Sequence, residues 1–513
     1  MSETLARPAG PVAPPVMTSP ISSPRRRWAA LVVLMLPVLL VSVDNTALSF
    51  AVPSLARDLQ PSATQLLWIV DAYPLVLAGL LVAMGSVGDR VGRRRLLLVG
   101  ATGFAVVSAA AAFAPTAAWL IAARAALGFF GAMLMPATLS LLRNIFVDAQ
   151  ERRKAIAIWA SGFSGGAALG PIVGGWLLEH YEWGSIFLMA VPVLVPLLVL
   201  GPVLLPESRD PDPGPVDPVG IVLAVLALGG LVFAIKAAGA DDSAVVVVGA
   251  AVVGLASGVA FVRRMLARPQ PMLDVRLFRN RVFSGALATN LVAVFAFVGF
   301  IYFLSQHLQL VAGYSPMAAG WLMVPGLVVT IICGLLAVRL VRRLTAAQVV
   351  VIGLLLNTAG YAVVALLGSE GSLVALLVGF VILSAGVGLA ETISNDLALT
   401  AVPPEKAGAA SAVSETAYEV GAVLGVAVLG SLLNLAYRTG VEVPSQLPAD
   451  QTALAGETLA GAVEVAESWP GALGEALLQS ASGAFDHGVV LTAGVGVLLT
   501  ALMAVVAGRA LRH

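Results

Sequence analysis

Cysteine is all but absent: one residue, Cys333, stands in a chain of 513, inside an apolar run. A lone thiol can neither close an intrachain disulfide nor complete a thiolate metal site. Histidine is nearly as scarce, with four residues, and no Cys/His cluster has metal-ligand spacing, so neither metal nor cofactor is expected. A GxxxxGK[ST] loop is also missing, which would leave any ATP-driven pumping to a separate subunit. GxSxG-like strings fall only in apolar helical sequence, and no catalytic constellation or signalling domain accompanies them. Charge is the largest deficit. Only 11% of residues are charged, against roughly 25% in soluble domains, and no nucleic-acid partner is expected.

Apolar sequence fills the space. Hydrophobic residues make up 59% of the chain and mean hydropathy is +0.95. Runs of about 20 residues, long enough for a ~30 Å hydrocarbon core, recur along almost the whole length. They predict an all-α polytopic membrane protein with fourteen spans, beginning near Trp28, Leu66, Leu96, Ala117, Lys154, Ser185, Pro218, Ala244, Val282, Pro316, Gln348, Ser372, Lys406 and Phe485. The first run lacks a small-residue cleavage site and reads as a retained helix. Residues 1–27 form a Pro- and Ser-rich tail that reads as disordered.

Net charge is zero, yet the basic residues are unevenly placed. On the fourteen-span reading, the tail and alternate loops hold all but four of the 29 Lys and Arg. The opposite face holds Arg57, Lys236 and Arg438, and Arg124 lies inside a span. The positive-inside rule then places the protein in the cell membrane with both termini cytoplasmic.

Two six-helix blocks, 28–206 and 282–513, flank a connector over 207–281 that carries two further spans. Its PESRDPDPGPVDP segment is a polar linker, and RRMLARPQPMLDVRLFRNR reads as a basic amphipathic stretch at the interface. Residues 439–483 between the last two spans contain six acids and no Lys or Arg. Their weak helical period predicts an acidic hairpin over the outer mouth, though the composition is equally compatible with disorder.

GSVGDRVGRRRLL, between spans two and three, carries Gly85, Asp89, Arg90, Gly92 and Arg93. It closely resembles the signature loop of the major facilitator superfamily, whose ion pairs are expected to break as two halves rock. GGAALGPIVGG in span five, with Gly166, Gly170, Pro171, Gly174 and Gly175, resembles the antiporter motif of exporting members. Small residues there permit close helix packing and Pro171 permits a kink. LIAARAALGFFGA in span four resembles a further motif, with Leu127 where the family usually has Gln. SVDNTALSFAVPSL, WIVDAYPLVLAG, PMLDVRLFRNRVFSGA, GYSPMAAGWLMVPG and EKAGAASAVSETAYEVGAVLGVAVLGS extend the likeness over about nine-tenths of the chain. Together they resemble the fourteen-span drug:proton antiporters, most closely the QacA- and LfrA-type exporters of quaternary ammonium compounds, dyes and fluoroquinolones. That resemblance implies small-molecule cationic drugs and protons as partners in the lipid bilayer, and a monomer.

Charged side chains within spans cost about 2.5 to 3.5 kcal/mol and by default mark ion or substrate pathways. Five acids qualify. Asp44 and Asp71 lie in the outer half, at the depth where Arg124 can pair with one of them. Glu391, Glu415 and Glu419 lie near the midplane, the last two one turn apart on one face. Each can instead hold helices together as a buried ion pair. With Arg124 as the one intramembrane base, however, several acids must be protonated or face water, as proton coupling requires. Trp68, Tyr73, Met133, Met135, Phe163, Tyr302, Trp321, Met323 and Tyr418 are candidates for cation-π or adaptable apolar contact, none singled out. The sequence thus predicts drug:proton antiport. Export of an endogenous metabolite or self-made antibiotic on the same fold is the alternative, and a nutrient importer would predict fewer membrane acids and no antiporter motif.

Overall fold

Lipid offers no partner for a free N–H or C=O group, so a chain this apolar must satisfy its backbone within each crossing segment. The computed structural model describes residues 21, 23–209, 216–240, 243–368, 372–402, 407–469 and 471–511, and among these every regular element is helical. Most of the tail, residues 403–406 and part of the 207–217 linker lie outside the described residues.

Among the described residues fourteen segments are long and apolar enough to cross a bilayer. The first group comprises α1 (Pro24–Leu59), α2 (Ala63–Val91), α3 (Arg93–Ala111), α4 (Ala117–Ile145), α5 (Ala149–His180) and the split span α6 (Ser185–Leu188) and α7 (Ala190–Leu204). Next come α8 (Pro218–Gly239) and α9 (Ala244–Ala267). The second group comprises α10 (Arg281–Gln306), α11 (Pro316–Leu340), α12 (Ala346–Leu367), α13 (Leu373–Thr400), α14 (Ala407–Gly425) with its continuation α15 (Ser431–Gly440), and α18 (Ala472–Ala510). Between α15 and α18 lie the short helices α16 (Ala449–Glu457) and α17 (Leu459–Ser468). π-Helical turns extend α10 over His307–Val311 and join α14 to α15 over Val426–Gly430.

Helix starts are set by local chemistry. Ser62 with Gln65 and Thr345 with Gln348 form reciprocal capping boxes, each satisfying two orphan N–H groups. Asp148 accepts from the N–H groups of Glu151 and Gln150, which holds its carboxyl below the usual range.

Within the first group α1 packs on α5, α2 on α4, and α3 on α4 and α7. Within the second, α10 meets α13, α14 and α18, and α12 meets α13 and α18. The groups touch along α5 with α11, α2 with α14, and α1 with α10, while α8 pairs with α9 and leans on α2. The helix ends form two sets: a basic end, where α1 begins and α18 finishes, and a hairpin end that carries α16 and α17.

Thirteen spans begin within about a turn and a half of the expected positions, and the last does not. Helix α18 begins at Ala472, well before Phe485, because ALGEALLQSASGAF is helical sequence that continues into the apolar run without a breaker. Within the acidic segment the described residues form the two short helices α16 and α17. The basic stretch from Arg263 begins inside α9. Helix α9 ends at Ala267, and Pro269 and Pro271 confine the rest of the stretch to a single 3-10 turn, Val275–Arg279. At the start of α8, Asp217 pairs with Arg264 of α9 at 2.8 Å and with Arg268 at 3.3 Å. The Arg264 hydrogen bonds hold its carboxyl below the usual carboxylate range. This clasp is therefore fully formed above that range and opens only as pH falls beneath it.

Candidate functional site

Helices α13 and α14 carry the three glutamates onto one wall of a cavity of about 390 Å³ between the groups, a size typical of small-molecule sites. Glu391, Glu415 and Glu419 line it, facing Met135 of α4, Trp159 and Phe163 of α5 and Phe297 of α10, with Tyr418 beside them. Among the described residues none of the three glutamates holds an ion pair. Glu419 is 6% exposed, and its buried Oε2 has no hydrogen-bond partner. A polar ladder crosses the same wall. Ser414 Oγ donates to Asn395 Oδ1 at 2.9 Å, and Asn290 Nδ2 donates to Ser414 Oγ at 3.4 Å. Toward the basic end the cavity reaches Leu399 and the exposed Arg143.

The two aspartates are arranged differently. Arg124 Nη1 lies 2.7 Å from Asp44 Oδ2, its Nε donates to the Ile69 carbonyl at 3.1 Å, and its guanidinium stands 4.6 Å from the Tyr73 ring centroid. Asp71 belongs to another cation. Lys236 Nζ lies 2.8 Å from Asp71 Oδ2, donates to the Leu67 carbonyl at 2.9 Å, and sits 4.0 Å from the Trp68 ring centroid. The ammonium thus reaches both the Leu67 carbonyl and the Asp71 carboxylate. The expectation that Lys236 sits on the outer face does not hold. It is 1% exposed within α8, so among the described residues Lys236 joins Arg124 as a second buried base facing a membrane acid, and His307 meets Asp486 of α18 at 3.0 Å. A lone lysine near a span's end reads from sequence as one that reaches for the interface. Only the packing of α8 on α2 turns it inward.

The signature loop is fastened within the first group. Arg93 Nε and Nη2 donate to Asp89 Oδ1 at 3.0 and 2.8 Å, and Arg93 Nη1 donates to Ser208 Oγ at 3.0 Å. Glu207 accepts from the Arg94 N–H at 3.2 Å. Gly92 has φ +117°, and a Cβ there would lie 2.6 Å from Glu207 Oε1, so its backbone demands glycine twice over. Gly85 sits one helix over, against Pro136. Sequence reasoning did not find Glu207 and Ser208, which lie in a linker with no spacing to tie them to the loop.

The antiporter-like glycines bring three helices together. Gly166, Gly170 and Gly174 face Ser42, Thr46 and Ala47 of α1, while Gly175 meets Met317 of α11, and the Pro171 carbonyl abuts Gly320 of α11. Among the aromatic and Met candidates, Met135, Phe163 and Tyr418 line the cavity. Trp68 and Tyr73 sit against the two cations, Trp321 is exposed, and Met133, Tyr302 and Met323 are buried packing.

At the hairpin end the groups are closed over the cavity. Ser305 Oγ donates to the Ser49 carbonyl at 3.0 Å and Gln309 Nε2 to the Phe50 carbonyl at 3.3 Å. The hairpin adds Gln60 Nε2 to Glu464 Oε1 at 2.9 Å and the Ala63 N–H to Glu457 Oε1 at 3.0 Å.

Two helical groups around a cavity closed at one end are an arrangement found among alternating-access transporters. Residues 34–426 match the family model of the Major Facilitator Superfamily. The chain belongs to the Major Facilitator Superfamily. It is 53% identical over 491 residues to the multidrug efflux pump LfrA of Mycolicibacterium smegmatis, covering 96% of this chain and 97% of that protein. It is 37% identical to the methyl viologen resistance protein SmvA of Salmonella typhimurium, over 92% and 96% of the two chains. It is 31% identical to a tetracenomycin C resistance and export protein of Streptomyces glaucescens, over 98% and 95%. Among solved structures it resembles a bacterial homolog of the human lysosomal transporter Spinster in an inward-facing, unoccupied conformation, with TM-score 0.65, 18% identity, and 96% and 98% coverage. The superfamily fold and the fourteen apolar helices make this a multi-pass membrane protein.

Proposed function

We propose that this protein is a proton-coupled multidrug exporter that exchanges lipophilic cations for protons, standing here with its cavity toward the cytoplasm. The observation that carries the reading is the cavity itself: three glutamates without an ion pair among the described residues face Trp159, Phe163 and Tyr418. Desolvated carboxylates favour a bound cation or a bound proton over an empty site, so the two compete. Aromatic faces add cation-π attraction for an ammonium that has shed its water. The charge asymmetry supports a cytoplasmic basic end. The similarity to a multidrug efflux pump and a methyl viologen resistance protein supports export as the direction of transport. On this reading Asp89, Arg93 and their docking on Ser208 stiffen the first group as it rocks, and the protein works as a monomer.

The test is ethidium efflux from proteoliposomes under an imposed pH gradient. Glu415→Gln and Glu419→Gln should each slow driven efflux by roughly tenfold or more while leaving the protein inserted, since they remove titration and keep shape. Normal pH-driven efflux in both variants would remove the assignment.

A further inference from the structure

The exporter reading leaves the inserted pair α8 and α9 without a task. Lys236 is among the largest fully buried side chains in the molecule, and its three partners, Leu67, Trp68 and Asp71, lie within one turn of α2. A carboxylate, a carbonyl dipole and an aromatic face are what a protein uses to hold an ammonium ion. The site is built, and its occupant is the chain's own lysine.

The other flank of α8 is unlike this. There Gly239 abuts Ser431 of α15, where a Cβ would lie 2.5 Å from the serine Cβ. Arg438 Nη1 donates to the Ala240 carbonyl at 3.2 Å in an exposed contact. Val232 packs in one small cluster with Val423 and Ala427. Helix α8 therefore straddles the seam between α2 and α14–α15 at the hairpin end. Exposing the cavity there must part that seam. Van der Waals contacts and one exposed hydrogen bond can be given up, whereas separating a buried ion pair strands both charges.

We propose that Leu67, Trp68 and Asp71 form an ammonium clamp for Lys236, so that the inserted pair travels with the first helical group while its flank on α14 and α15 slides free. Lys236 is then a positioning residue, and Asp71 is a fixed counter-ion instead of a proton carrier. The motion rests on the alternation assumed by the exporter reading, and the clamp itself does not.

Two cross-links in a Cys333→Ala background separate the flanks. Gly79→Cys with Val225→Cys joins α2 to α8 as a disulfide, since the Cβ atoms would lie 3.8 Å apart, the usual spacing of about 3.8 Å. Ala240→Cys with Arg438→Cys, positions bridged by the Arg438 hydrogen bond, joins the end of α8 to α15 through a short thiol-cleavable bis-methanethiosulfonate linker. Once formed, the first link should keep ethidium export within about twofold, and the second should cut it by about tenfold or more, with recovery on reduction, because it blocks the opening step. Equal arrest by both, or arrest by the first alone, overturns the proposal. The clamp has its own readout in thermal melting of the purified protein. Lys236→Met and Asp71→Asn should each lower Tm, and the double variant should regain most of the loss. A double variant no better than the singles removes the clamp whether or not any cation is exported.

Discussion

Asp44 and Glu419 are both membrane acids with almost no exposed surface, and their neighbours set them apart. Asp44 meets Arg124 at 2.7 Å, whereas Glu419 meets no cation among the described residues and leaves an oxygen unpartnered. The paired acid is a structural debt if broken: removing one member of a buried pair costs about 3–5 kcal/mol because the other charge stays behind. Asp44→Asn should therefore destabilise the protein to that extent, and Arg124→Gln on top of it should restore most of the loss. Chemical denaturation in detergent measures this. A single variant as stable as the parent would show that Arg124 finds another counter-charge.

At the scale of elements, the seam between α1 and α5 is decided by single atoms. A side chain at Gly170 would run into Thr46 Oγ1, while Gly165 on the same helix faces open space. Gly170→Val is expected to abolish efflux or folding and Gly165→Ala to change neither, as flow cytometry of ethidium-loaded cells together with membrane yield would register. Equal tolerance at both positions would contradict the close α1–α5 packing. The hairpin makes a second element-scale case. Its glutamates touch Gln60 and the Ala63 N–H, yet α18 begins at Ala472, so a replacement must spare that helix. Exchanging residues 445–469 for a short Gly/Ser loop should preserve insertion and some transport if the hairpin only covers the mouth. Full insertion with no transport would make it a gate. The spans were legible in the sequence because apolar length is a one-dimensional signal, and Glu391, Glu415 and Glu419 were legible because an acid in such a run is rare. The partner of Asp71 was not, since nothing in FAIKAAGA says which way a helix is turned. Arg143 was hidden for the converse reason: it reads as loop charge, but the last turn of α4 carries it to the cavity.

For the whole molecule the question is energetic. Expelling a monovalent cation from a negative interior costs about 2.3 kcal/mol per 100 mV, and each proton that enters returns as much. One-for-one exchange is thus electroneutral. Three cavity carboxyls that hold no ion pair among the described residues give room for more than one proton per turn, so at least two protons per monovalent cation are expected. Vesicles held at zero pH difference with an inside-negative potential imposed by valinomycin should then show potential-driven efflux, and its absence would leave one-for-one exchange. The buried lysine of α8 also bears on descent. A chain that lost the inserted pair by deletion would leave Asp71 without the cation it meets here, so the acid would have to take up a proton or meet another counter-charge. The insertion thus decides whether this carboxyl is a fixed charge or a titrating one.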